Sequence, residues 1–265
     1  CKLDGVTGIA LVVYGEREQA DPVGAAVIAQ AAACGLDVID TLFVTGGSWG
    51  RIGGDGTLTA LSEVPAHIAA MVTEADQQAG ATLPEVDDAL AAEVAASIPT
   101  DADAGNVLDL FEGALSWDAA RLEAGSAAQL IAMLNRPSLR DVALVQWAHS
   151  VAVGEVAMGA QIAWERGAEY PVNLASVMWG EGPRPDAERL TAALTVCRHL
   201  AALAPEAATV GPLATAAWLS WALGRSTHAD RYARRALAVD AEHGLSQIVV
   251  AMVEASHMPE WVFAR

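Results

Sequence analysis

The stretch GPLATAAWLSWALGRSTHADRYARRALAVDAEHGLSQIVVAMVEA, residues Gly211 to Ala255, decides how most of this chain is built. Leu213, Ala216, Ala217, Leu219, Ala222 and Leu223 recur at helical spacing, with Trp218 and Trp221 one turn apart. Gly224 can take the positive φ that ends a helix. Ser226 or Thr227 can then accept hydrogen bonds from the free N–H groups that open the next one. That second helix, HADRYARRALAVD, gathers Ala229, Ala233, Ala236 and Leu237 on one face and keeps Arg231, Arg234 and Arg235 mostly off it. Small residues at Ala217, Ala229 and Ala236 allow two antiparallel helices to approach closely. The pattern is helix, tight turn, helix, and the start of a third.

This hairpin resembles a single tetratricopeptide-like unit, whose period is about 34 residues. Ala241 stands where such units usually carry a proline. One unit cannot bury its own face, so upstream helices must pack on it, and Trp218 and Trp221 are expected in a core rather than at a contact surface. GPRPDAERLTAALTVCRHLAALAPE (Gly182–Glu206) followed by the tail is similar to the C-terminal part of domain-of-unknown-function family 4192, found mostly in actinobacteria and actinophages. The front resembles the same family through TGIALVVYG (Thr7–Gly15) and DPVGAAVIAQAAACGLDVIDTLFVTGGSW (Asp21–Trp49). There a strand ending in Val-Val-Tyr leads through a helix to a second strand and Gly-Gly-x-Trp, here Val12, Val13, Tyr14 and Gly46, Gly47, Trp49. The resemblance is vague from Thr57 to Tyr170. The cysteine-bearing loop that often follows Gly-Gly-x-Trp is replaced by GRIGGDGTLT, and the elements that precede Val-Val-Tyr are missing. It implies no catalytic residues.

Read from the residues themselves, Val6–Tyr14 is rich in Ile, Leu and Val, as a strand buried on both faces should be. Asp21 and Pro22 are a capping carboxylate and a first-turn proline, so a helix is expected from there to Gly35. Val38–Val44 forms a second strand, parallel to the first across a βαβ crossover. Two strands are too few for a stable sheet, so others must come from preceding residues, a later segment or another subunit. The glycine-dense run Gly46–Gly56 is expected to be a loop. Helices are expected at Glu63–Gln78, Leu83–Ser97, Asn106–Ala114, Trp117–Asn135 (interrupted at Gly125) and Leu139–Arg166. Pro99–Gly105 and Pro171–Pro185 read as breaks, and Asp186–Ala255 as four helices. The expected fold is α/β, mostly helical: a Rossmann-like βαβ unit (1–56), a helical middle region (57–170) and a C-terminal tetratricopeptide-like region (171–265).

Composition narrows the functions. Of 265 residues, 15 are basic and 33 acidic, a net charge of −18, which repels phosphate backbones and anionic lipid, so no nucleic-acid or membrane partner is expected. The cluster of Arg225, Arg231, Arg234 and Arg235 reads as a solvated helix face. No uninterrupted apolar run reaches the roughly 18 residues that span a bilayer, so a soluble protein is expected. Of three cysteines, Cys34 and Cys197 read as small core residues, which fits a reducing cytoplasm. Cys1 is explained better by an N-terminus cut short than by lipidation.

Chemistry-bearing motifs are weak. Gly46-Gly47-Ser48-Trp49-Gly50 matches the G-x-S-x-G nucleophile elbow, but RIGGDG follows it where a helix should start. The first βα turn, GEREQADP, is too acidic and bulky to cradle a phosphate, and no Gly-Lys-Ser/Thr exists. Backbone amides of Gly46–Gly56 can nest an anion or small ligand, with Gly46, Gly47 and Ser48 in the cradle, Trp49 as a stacking wall and Arg51 as charge partner. Asp101, Asp103, Asn106, Asp109 and Glu112 follow EF-hand spacing loosely but lack the turn glycine; they suit a helix start. The six histidines show no metal-binding spacing. No cofactor, metal or catalytic residue is expected. The favoured expectation is an interaction or assembly protein that binds a protein partner or itself through helix faces. The alternative is a small-ligand or nucleotide-binding α/β domain with its site at Gly46–Gly56.

Overall fold

The computed structural model describes residues 7–61, 79–100 and 107–262. It is an α/β protein dominated by helices, in two compact units, 1–75 and 76–265.

In the first unit strand β1 (Gly8–Tyr14) leads into helix α1 (Arg17–Ala33) and strand β2 (Asp37–Thr45). The strands pair in parallel, from Gly8 against Asp37 to Tyr14 against Val44, as expected for a βαβ start. Helix α1 ends as expected: Gly35 has φ +66°, its N–H reaches the Ala32 carbonyl at 3.0 Å, and that of Leu36 reaches Ala31 at 3.0 Å. Its start is corrected. It begins at Arg17, so Pro22 lies inside the helix. Asp21 does not cap it: it takes Arg17 Nε at 3.3 Å one turn back and accepts the Gly53 N–H at 3.4 Å.

The glycine run Gly46–Gly56 is also corrected, from loop to hairpin. Gly46 (φ +50°) and Gly47 (φ +84°) form a two-residue turn in which both positions need positive φ. Strand β3 (Ser48–Arg51) returns antiparallel to β2, with Ser48 opposite Thr45, and strand β4 (Thr59–Ala60) pairs with β3. The sheet order is β1-β2-β3-β4. A later segment of the chain itself thus supplies the further strands the sequence required. Phe43, 1% exposed, packs under Gly50, where a Cβ would stand 2.9 Å from its ring.

In the second unit helix α2 (Asp88–Ser97) starts later than expected, because the Asp87 carboxylate caps it by accepting from the Ala89 and Leu90 N–H groups. Helix α3 spans Val107–Ala114. Trp117–Asn135 is not one helix: a single turn at Ala119–Arg121 precedes helix α4 (Ala124–Leu134), and Gly125 sits in the first turn of α4 beneath the capping carboxylate of Glu123. Leu139–Arg166 is likewise two helices, α5 (Pro137–Ala148) and α6 (Val151–Glu165). His149 leaves helical geometry (φ −130°, ψ −88°), and Ser150 Oγ accepts the Val153 N–H at 3.4 Å to start α6. The 171–185 stretch holds a short helix α7 (Val172–Ala175) and a turn at Ser176–Trp179. Four helices then follow as expected: α8 (Ala187–Leu203), α9 (Val210–Ala222), α10 (Ser226–Val239) and α11 (Gly244–Glu254). The expected helix at 63–78 lies outside the described residues.

Every residue of α9 is buried, as a helix apolar all round should be. Gly224 (φ +77°) closes it, its N–H donating to Trp221 at 2.8 Å and that of Arg225 to Ser220 at 2.8 Å. Neither Ser226 nor Thr227 caps α10; Ser226 Oγ instead lies 3.5 Å from Met258 Sδ. Trp147, Trp218, Trp221 and Tyr232 are the largest buried side chains of a core that runs from Ala81 to Trp261, so the helices of the middle and C-terminal regions share it. Cys197 is buried there, whereas Cys34 is only half-buried.

A polar clamp ties three helices at the edge of this core. Arg189 of α8 donates from Nη1 and Nη2 to both oxygens of Glu112 on α3, at 2.6 and 2.8 Å. Gln146 of α5 donates to Glu112 at 3.2 Å and to the Leu108 carbonyl at 2.9 Å. The Arg189 hydrogen bonds hold the Glu112 carboxyl below its ordinary value of 4.5. A carboxylate depressed on folding adds stability above its unfolded value and loses it as pH falls through the folded one. Both side chains meet water (22% and 35% exposed), so the clamp is worth about 1 kcal/mol. Arg189→Met should therefore lower the urea midpoint at neutral pH, and the gap from wild type should close well below pH 4.5.

Candidate functional site

The residues singled out in the glycine run part company. Gly46 and Gly47 are the hairpin turn, and Ser48 opens an antiparallel strand instead of a strand-to-helix elbow. Trp49 and Arg51 do line a cavity of about 540 Å³, with Gly50, Gly54, Asp55, Gly56, Thr57 and Thr59. Its donors are largely engaged. The Ile52 N–H bonds Thr41 O at 3.0 Å, that of Gly53 bonds Asp21 and that of Gly54 bonds Arg51 O at 3.1 Å. Arg51 Nη2 pairs with Asp40 at 3.2 Å, and Arg17 Nη2 donates to Gly54 O at 2.7 Å. Asp55 stands in the wall, its carboxyl held below 3.8 by the Thr57 N–H. That carboxylate puts negative charge in the wall, which disfavours an anion there. At the first βα turn the Glu16 carboxylate accepts from Thr45 Oγ1 at 2.7 Å, which puts negative charge where a phosphate would need a donor.

The EF-hand-like spacing lies mostly outside the described residues, at positions 101–106. Glu112 is taken by Arg189 and Gln146. No metal-competent group of His, Cys, Asp and Glu occurs among the described residues. Arg234 bonds Asp230 at 2.8 Å and Glu254 at 2.8 Å, so the basic cluster of the tail is partly neutralised on its own face. No helix among the described residues is long and apolar enough to cross a membrane.

The more unusual surface lies around α6. Its sequence, VAVGEVAMGAQIAWE, offers only Glu155, Gln161 and Glu165 as polar side chains, which by composition belongs inside a core. Yet only Gly154 and Ala157 are buried. Val156 is 60% exposed, Ile162 43% and Trp164 54%. The helix rests on α5 along one narrow line: a Cβ on Gly154 would stand 2.5 Å from Gln146 Oε1 and 2.9 Å from its Cβ. Its outward stripe is Ala152, Val156, Gly159 and Ala163, and a Cβ on Gly159 would meet nothing within 4 Å.

Beside α6 a cavity of about 530 Å³ is walled by Trp164, Tyr170 and Trp179, with the carboxylates of Asp141 and Glu165 on its lining. Burial in this concave setting raises the Asp141 carboxyl above its ordinary value although Arg140 lies 2.8 Å from Oδ1, and raises the Tyr170 hydroxyl, with Asp141 adding to the effect. Sequence reasoning missed both the stripe and the cavity. The one available signal was a helix with too few polar residues to own a wet face. Comparison with protein-family models, curated proteins and solved structures returned no match.

Proposed function

We propose that the chain is a non-enzymatic interaction protein that assembles with a second copy of itself through α6. The observation that carries this is the exposure of Val156 and Ile162 on a helix whose outward stripe is otherwise Ala152, Gly159 and Ala163. Contiguous exposed apolar surface of this kind marks contact sites, and small residues allow helix axes to come close. A net charge of −18 opposes association of two copies anywhere that carboxylates would face each other. The stripe carries few. An antiparallel pairing about a two-fold axis at Gly159 sets Val156 against Ile162 and brings Glu155 toward Arg166 of the other copy, an isologous contact.

Analytical ultracentrifugation at tens of micromolar tests this. The wild type should sediment as a dimer. Val156→Asp combined with Ile162→Asp should give a monomer that keeps the wild-type helical dichroism, because neither side chain lies in the core. A wild-type monomer, or a dimer indifferent to the double change, would refute the proposal.

A further inference from the structure

We propose that the cavity walled by Trp164, Tyr170 and Trp179 is a binding site for an alkylammonium group. Its volume, about 530 Å³, falls in the range of small-ligand sites. Three aromatic rings bound it, and no Lys, Arg or His is on its lining. Aromatic faces carry negative quadrupole charge and attract cations, and cages of such rings are how quaternary ammonium groups are held. The carboxylates add charge of the matching sign. Both hydrogen bonds from Arg140 to Asp141, from Nε at 2.9 Å and Nη2 at 2.8 Å, fall on Oδ1. No ion pair to Glu165 occurs among the described residues, and its Oε1 accepts from Gln161 Nε2 at 3.5 Å. A net charge of −18 draws cations toward this surface and drives anions away.

The wall is set before any ligand arrives. The Met178 carbonyl accepts from Trp218 Nε1 at 3.1 Å, and the Trp179 carbonyl lies 3.0 Å from His257 Nε2. Gly180 follows in left-handed geometry (φ +84°), its carbonyl taking the Glu260 N–H at 2.8 Å. The backbone under Trp179 is thus held from α9 and from the C-terminal segment, while its ring stays 48% exposed at the rim. Preorganised aromatic rims lose little entropy on binding. An apolar ligand would satisfy the rings but leave Glu165 and the second oxygen of Asp141 unanswered, whereas a methylated ammonium answers both.

Calorimetric titration with choline, with its neutral isostere 3,3-dimethylbutanol and with a peptide bearing trimethyl-lysine tests the site on the full chain. Choline should bind saturably and at least about tenfold tighter than the isostere. Tighter binding of the peptide would identify the group as a protein side chain; tighter binding of choline would identify it as a free metabolite-sized cation. Trp179→Ala and Asp141→Asn should each weaken choline by about tenfold, and Trp179→Phe by less. The half-exposed Trp179 ring can be removed without emptying the core, and an unchanged thermal midpoint checks that it was. Val156→Asp, outside the cavity, should leave choline binding intact, so loss of self-association and loss of this site are separable. Equal affinity for the isostere, or no saturable heat with either cation, would overturn the proposal.

Discussion

Trp221→Ala should be among the most damaging single changes in this chain, lowering stability by about 4 kcal/mol. The indole is fully buried in the wholly buried helix α9. Its Nε1 donates to the His257 carbonyl at 2.8 Å. Its ring meets three others: Trp218 with centroids 6.2 Å apart, Trp261 edge-on at 6.4 Å and the His257 imidazole stacked at 6.0 Å. Truncation therefore opens a cavity that helical backbone cannot refill, leaves the His257 carbonyl without its donor, and leaves the C-terminal segment tied to α9 chiefly by the Trp261 Nε1 bond to the Ala222 carbonyl. The loss is a large share of the roughly 5–15 kcal/mol that holds an ordinary domain together. Trp221→Phe separates the two parts. It keeps most of the packing and removes the N–H, so about half the loss is expected. Urea unfolding followed by near-ultraviolet dichroism reads both. If Trp221→Ala unfolds within about 1 kcal/mol of wild type, the ring is not the keystone its burial implies.

What could be read from the sequence followed from how local the governing physics is. The tail was legible because periodicity, Gly224 and the Trp218–Trp221 spacing all act within a few residues. The parallel pair β1 and β2 was legible because two apolar runs flank one helix, but the expected burial on both faces is corrected: Val12 is 44% exposed, Tyr14 80% and Ile39 73%. The hairpin at Gly46-Gly47 was hidden by its own composition. Glycine is rare in strands, so Gly50 read as loop, although it is there because Phe43 lies 2.9 Å from where its Cβ would be. The break at His149 lacks both glycine and proline, and only the Ser150 cap betrays it. The cavity beside α6 could not be read at all. Asp141, Trp164, Tyr170 and Trp179 carry no shared spacing, and they meet only because α5, α6 and the 171–180 segment fold back on one another. The exposure of α6 was hidden for a related reason: an apolar helix looks the same in sequence whether its partner lies in the same chain or in another.

Gly211→Ala should cost about 3 kcal/mol, and Gly211→Val should prevent folding of the helical unit. A Cβ at this position would stand 2.5 Å from the Leu134 carbonyl oxygen, 2.6 Å from its carbon and 2.7 Å from the Asn135 nitrogen. All three belong to one peptide group at the C-terminal end of α4, so no side-chain rotation can make room. The joint is also hydrogen-bonded from both sides. Asn135 Oδ1 accepts the Gly211 N–H at 3.0 Å, while Asn135 Nδ2 donates to the Ala208 carbonyl at 2.8 Å and the Ile131 carbonyl at 2.9 Å. Moving α9 outward by the ångström or so that alanine demands would stretch those bonds and shift the buried Trp218 and Trp221 with it. Asn135→Ala alone should cost about 2 kcal/mol, because it strands donors and acceptors that are partly shielded from water. The double variant should lose less than the sum, since a displaced α9 has already given up the bonds that Asn135 makes. Strict additivity in a urea-denaturation cycle would mean that the close approach and the hydrogen bonds are independent, contrary to this geometry. Gly159→Ala, made in the Val156→Asp and Ile162→Asp background that removes the second copy, is the matched control. It puts the same methyl group on a mid-helix glycine with nothing within 4 Å, where helix propensity alone acts and a gain of up to about 1 kcal/mol is expected. One substitution with opposite signs at two helical glycines would show that contact with the α4 backbone, rather than glycine itself, sets the cost.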